Sequence, residues 1–200
     1  AAVDNTPTGN TLLIPAGRYT FTYLQFRSNK SYYLAPGAIL QAPRTQEAQL
    51  KLNGCTNVKI FGRGVFDDQG DYQRARTGGG ETGTTFISVD QGTGTSNVVF
   101  EDVIIRNPSL YSCIVFDTVD WRFGNIKFVT SSTYGNRDCI DPHNAQRLVV
   151  DDGFFLSTDD NIAYSTLRND IDTGIVVKNC VMYNSHSGAC IRLGPWLGDN

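Results

Sequence analysis

The chain has 200 residues, 40% of them hydrophobic and only 18% charged, with a net charge of -3. That length fits one sizeable core. No apolar run approaches the ~20 residues a membrane helix needs, and no basic field exists to draw in nucleic acid, so neither partner is expected.

The N-terminus, Ala1-Ala-Val-Asp4, lacks the basic and apolar regions of a signal peptide, and any export signal is expected to lie upstream or to have been removed. Leu12-Leu-Ile-Pro-Ala-Gly-Arg-Tyr19 and Tyr32-Tyr-Leu-Ala-Pro-Gly-Ala-Ile-Leu40 repeat one turn pattern, with Gly17 and Gly37 at matching places. They read as the opening coils of a repeat architecture, over roughly residues 1–45.

Beyond them, short β-branched and aromatic runs recur, each ending in Gly, Asp or Asn. They are Val58-Lys-Ile-Phe-Gly62, Val98-Val-Phe-Glu-Asp102, Trp121-Arg-Phe-Gly-Asn125, Leu148-Val-Val-Asp-Asp152 and Ile175-Val-Val-Lys-Asn179. Their ends are 40, 23, 27 and 27 residues apart, and the long first interval holds the Gly-rich stretch 77–84, read as a loop. A second set, Phe86-Ile-Ser-Val89, Cys113-Ile-Val-Phe116, Cys139-Ile-Asp-Pro142, Asn161-Ile-Ala-Tyr164 and Cys190-Ile-Arg-Leu193, aligns on Ile87, Ile114, Ile140, Ile162 and Ile191.

Two columns in step, one coil apart, predict a right-handed parallel β-helix, all-β, in a single domain over 1–200 with the chemistry on coils 110–200. Parallel strands lie ~4.8 Å apart, so the Ile column would stack into an apolar wall. Asn and Asp suit the turns because they tolerate left-handed backbone. The chain reaches Asn200 without a polar capping segment, which suggests a truncated portion of a longer helix. The cysteines, Cys55, Cys113, Cys139, Cys180 and Cys190, are odd in number with no Cys-x-x-Cys spacing. This disfavours a zinc site or a full disulfide set and favours buried thiols.

Against that register Asp138 and Asp160 each stand two residues before an Ile, on successive coils, with Asp159 beside them. Converging carboxylates raise one another's pKa, which supplies the protonated acid and the ionised base of an inverting glycosidase, set ~6.5–9.5 Å apart. Strict alternation would point these positions inward, so the turn before each strand must rotate them outward. Asp141 and Arg192 follow their Ile residues and face out, where they could hold substrate. His143, His186 and Trp196, the last in Leu193-Gly-Pro-Trp196, border the same patch.

At these residues the chain resembles glycoside hydrolase family 28, the polygalacturonases and rhamnogalacturonan hydrolases. Asn136-Arg-Asp138-Cys-Ile-Asp141 is similar to the family's Asn-Thr-Asp-Gly-x-Asp, and Thr158-Asp-Asp-Asn-Ile-Ala163 to its Gly/Gln-Asp-Asp-Cys-Ile-Ala. The resemblance implies Asp159 as general acid, Asp138 and Asp160 as activators of water, a pectin-type polysaccharide substrate, no cofactor and no metal. Secretion or export to the periplasm would follow from that activity.

Two departures stand out. Ala189 occupies the place of the family's Gly-His-Gly histidine, and the Arg-Ile-Lys motif would fall after Asn200. Three alternatives stay open. One is a neutral α-glucan hydrolase of the dextranase or α-1,3-glucanase type. Another is a β-helix lyase or epimerase with Ca²⁺ on the aspartates and Arg192 as base. The third is a tailspike-like β-helix that binds glycans without cleaving them.

Overall fold

The computed structural model describes residues 2–81, 83–164 and 172–194. Within them the chain winds as a right-handed parallel β-helix with three parallel sheets. One sheet stacks seven strands: Thr11–Ile14, Lys30–Leu34, Thr56–Gly62, Thr95–Glu101, Thr118–Gly124, Val149–Asp151 and Val176–Lys178. The second also has seven strands, from Gly17–Thr20 to Val181–Asn184.

The third sheet positions the candidate site. It runs Tyr23–Gln25, Gln49–Lys51, Ile87–Val89, Cys113–Phe116 and Asp141–His143, and a bridge between Ile140 and Ile162 carries it on to the paired strands Ile162–Tyr164 and Ile191–Leu193.

In the first sheet the register follows the sequence pattern residue for residue. Val58, Val98 and Trp121 are successive partners, as are Ile60, Phe100, Phe123, Val150 and Val177. These inward positions are buried, Val177 alone being half-buried, because every second side chain of a strand faces the same way. Phe100 and Phe123 stack at 5.4 Å between ring centroids, and Phe128 and Phe155 at 5.4 Å. Truncating one such ring to Ala costs about 3–5 kcal/mol. Trp121 is 1% exposed and donates its indole N–H to Thr95 Oγ1 at 2.9 Å, so its one polar atom is satisfied inside the core.

The turn residues behave as their chemistry dictates. Asp102, Asn125, Asp152 and Asn179 all have positive φ, between 45° and 65°. At another corner Asn29, Asn57 and Asn97 stack with φ near 55°, each Nδ2 donating to the previous Oδ1 at 2.7 Å. This side-chain ladder fixes the coils in step independently of the apolar interior.

Three features differ from the sequence expectations. The third-sheet column passes through Cys113, not Ile114: Ile87 pairs with Cys113, and Asp141 pairs with Ile114. Ile114 therefore lies on the outer face, half-buried, while Cys113 and Val115 are buried. Cys113 for the same reason leaves the row of Cys139, Asn161 and Cys190, which the backbone hydrogen bonds join. Second, a short helix, Gly70–Arg76, precedes the Gly-rich loop. Third, of the free cysteines only Cys55, Cys113 and Cys139 are buried; Cys180 is half-buried and Cys190 exposed. Among the described residues no helix is long and apolar enough to cross a membrane.

Candidate active site

Asp138 and Asp160 fall in irregular backbone just before third-sheet strands, which frees them from strand alternation. Ser112 N–H donates to the Asp138 carbonyl at 2.9 Å, Cys139 N–H to the Asp160 carbonyl at 3.0 Å and Asn161 N–H to the Ala189 carbonyl at 3.0 Å. These bonds align Tyr111, Asp138, Asp160 and Ala189 in one column. The outer row beside it carries Ile114, Asp141, Ala163 and Arg192.

Asp138, Asp159 and Asp160 converge: each offers an oxygen within 4.8 Å of the other two. That is closer than the ~6.5–9.5 Å expected of an inverting pair and fits a nucleophilic carboxylate on spacing alone. Three carboxylates at that distance also have the chemistry to hold a hard cation.

The three environments differ. Asp138 is 2% exposed, and burial first, then the Asp159 and Asp160 charges, push its carboxyl up to about 8, against the opposing pull of Arg192 and a hydrogen bond with Asp141. Asp141, 5% exposed, is raised well above the carboxylate range by burial and by Asp138. Burial and each other's charge thus favour the protonated form of both carboxyls. Asp159 is half-buried, and its carboxyl is raised by burial and by the neighbouring Asp160; Ser187 Oγ donates to its Oδ2 at 3.4 Å. Asp160, 1% exposed, accepts the Ala189 amide on Oδ1 at 2.7 Å and faces Arg192 Nη1 across 3.0 Å on Oδ2.

The loop before Asp138 is braced by the helix Gly70–Arg76. Arg137, fully buried, donates to Asp71 Oδ1 at 2.8 Å, and Ser131 donates to the same oxygen at 2.7 Å. The Arg74 and Arg137 guanidinium groups both lie over the Tyr134 ring, at 5.3 and 5.4 Å from its centroid. From the other side, Gly188 crosses directly over Asp159 and Asp160. Its φ is +84°, and a β-carbon there would lie 2.6 Å from the Asp160 nitrogen, so the close approach requires glycine.

Of the other expected site residues, Asp141 and Arg192 join the cluster. His186 is exposed on its rim, beside Gly135, where a β-carbon would meet its ring at 3.2 Å. His143 shares the outer face with Asp141 but is 4% exposed, its ring stacked on Phe116 at 4.5 Å and 17°. That ring is engaged in the sheet's own packing. Trp196 lies outside the described residues. Tyr111 was missed: it heads the aspartate column, with a phenol raised by burial and by the Asp138, Asp141 and Asp159 charges and hydrogen bonded to Asn136. Had the column been drawn through Cys113, Tyr111 would have fallen two residues before it, where Asp138 stands before Ile140.

A parallel β-helix bearing buried and half-buried carboxylates on its outer face is a scaffold suited to acid–base cleavage of a polymer laid across the coils. The family model for glycosyl hydrolases family 28 matches residues 6–192, and the chain belongs to that family. Among solved structures, the polygalacturonase from Erwinia carotovora ssp. carotovora is similar at 16% identity and a TM-score of 0.75, over 94% of this chain and 62% of that one. The family 28 exopolygalacturonase of Yersinia enterocolitica matches at 17% identity and a TM-score of 0.74, over 90% and 44%. The endo-xylogalacturonan hydrolase of Aspergillus tubingensis matches at 16% and 0.65, over 92% and 61%. The chain thus spans less than two thirds of each of these three proteins. A search of curated proteins finds no match.

Proposed function

We propose that this chain carries the catalytic coils of a hydrolase that cleaves a pectin-type polysaccharide, galacturonan or rhamnogalacturonan, with inversion at the anomeric carbon. The observation that carries the reading is the convergence of Asp138, Asp159 and Asp160 in unlike surroundings. Asp159, the most accessible, gives its proton to the glycosidic oxygen as the bond breaks. Water attacks the anomeric carbon and loses its proton to Asp160, which Arg192 and the Ala189 amide hold in place. Asp138, which keeps a proton with Asp141, orients that water by hydrogen bonding.

The family resemblance supports the substrate class, and a polymer of that kind places the enzyme outside the cytoplasm, secreted or periplasmic. Asp159→Asn should abolish release of reducing ends from pectic polymers while the fold survives; retained activity would sink the proposal. Carboxylate oxygens that all lie within 4.8 Å of one another favour retention as a second reading. Proton NMR of the first-formed anomer separates the two, because a retained anomer would replace the water-activating role of Asp160 with a nucleophilic one.

A further inference from the structure

The outer face of the third sheet carries a groove of about 210 Å³, on the coils N-terminal to the aspartates, lined among others by Lys51, Thr84, Ser88, Asp90, Ile114 and Phe116. Register places it in line with the cluster, because Lys51, Ser88, Ile114 and Asp141 are successive partners on one row. A polymer seated at the aspartates and laid along the rungs would cross it.

Three observations define what the groove would accept. Its charges are spent on one another: Lys51 Nζ lies 2.5 Å from Asp90 Oδ1, and Asn53 Nδ2 donates to the other oxygen at 2.7 Å. Ser88 is 6% exposed, and its Oγ is buried without a hydrogen-bond partner, a cost that an incoming hydroxyl would remove. Ile114 and Phe116 are half-buried on the outer face, the Phe116 ring held flat against His143. An unpaired carboxylate brought here would face Asp90 and leave water without a partner cation.

We propose that this groove is a substrate subsite for an uncharged sugar unit of the polysaccharide. One sugar hydroxyl bonds Ser88 Oγ as that hydroxyl turns out of its buried position into another staggered rotamer, and the apolar face of the ring rests on Ile114 and Phe116. The inference rests on the hydrolase reading above and names the sugar class one part of the substrate must contain.

The test uses Ser88→Ala and Ile114→Lys, both checked for folding by circular dichroism. Substrates are length series of three oligomers: alternating rhamnose and galacturonate, galacturonate alone, and α-glucan. The wild type should cleave oligomers with a neutral unit in preference to galacturonate alone. Ser88→Ala should raise KM about three- to tenfold, the worth of one neutral hydrogen bond, on oligomers long enough to reach the groove and leave the shortest cleaved ones unchanged. Ile114→Lys should shift the preference toward galacturonate.

Cleavage of galacturonate alone as readily as of the others, or an unchanged KM in Ser88→Ala, would overturn the inference and leave the hydrolase reading standing. Turnover of α-glucan alone would keep the neutral subsite and overturn pectin. No turnover of any oligomer by wild type, with Asp159→Asn indistinguishable from it, would remove both.

Discussion

Replacing Asp138 with Asn should make the protein inactive and, above neutral pH, more stable. Folding lifts the Asp138 carboxyl from 3.8 to about 8, chiefly through burial and the charges of Asp159 and Asp160. Between those pH values the folded chain keeps a proton that the unfolded chain has released, so stability falls as pH rises through the window. At 1.36 kcal/mol for each pH unit, holding an ionised Asp138 in place opposes folding by about 5–6 kcal/mol once the pH passes the folded value. An amide has no charge to desolvate and keeps the shape.

Asp138→Asn should therefore match the wild type within about 1 kcal/mol at pH 4 and exceed it by about 3–5 kcal/mol near pH 8, the lower figure allowing for relaxation around the ionised group. For a chain of this size that is about 10 °C in Tm. Thermal melts followed by circular dichroism from pH 4 to 9 read both curves. Parallel curves, or a less stable variant at pH 8, would show that Asp138 is not held protonated and would remove its assigned part in orienting water.

Gly188→Ala should lower activity and cost about 1–3 kcal/mol, from left-handed strain and from the collision with Asp159 and Asp160; a wild-type rate in this variant would contradict the close approach. Arg192→Met leaves the 1%-exposed Asp160 carboxylate without its 3.0 Å partner. Because Arg192 is about a third exposed, the loss should be about 1–3 kcal/mol, below that of a fully buried pair, and a melt unchanged within error would refute the pairing. The same variant removes a group that lowers the Asp138 carboxyl, so the pH dependence of its stability should move upward. Hydrolysis should persist in EDTA; activity that vanished with the chelator and returned with Ca²⁺ would favour the lyase alternative.

Much of the helix was legible because two kinds of residue mark each coil of the first sheet. Inward Val, Ile, Phe and Trp alternate with solvent-facing neighbours, and the Gly, Asp or Asn that closes each run adopts positive φ. The third sheet was read one residue out at a single coil. In Cys113-Ile-Val-Phe116 both Cys113 and Ile114 are apolar, and hydrophobicity alone cannot say which of them faces in. Strand pairing resolves it, and the half-buried Ile114 on the floor of the groove is the result.

The helix Gly70–Arg76 escaped because seven residues are too few to display a helical period, and its anchors are side chains to distant loops, such as Gln73 to the carbonyls of Pro43 and Gln46. The aspartate cluster could be found from spacing. The upward shift of Asp138 and Asp141 could not, because it depends on how the turn before Ile140 buries the two carboxyls beside each other.

The hydrogen bond from Ala189 to Asp160 belongs to the main chain. Side-chain identity at position 189 is thereby decoupled from the support of Asp160, and any residue except proline, which has no N–H, preserves the donor. Mutational drift at this position can reshape the surface beside the aspartates while leaving the carboxylate anchored, which makes it a natural starting point for libraries that seek new sugar preferences without dismantling the cluster.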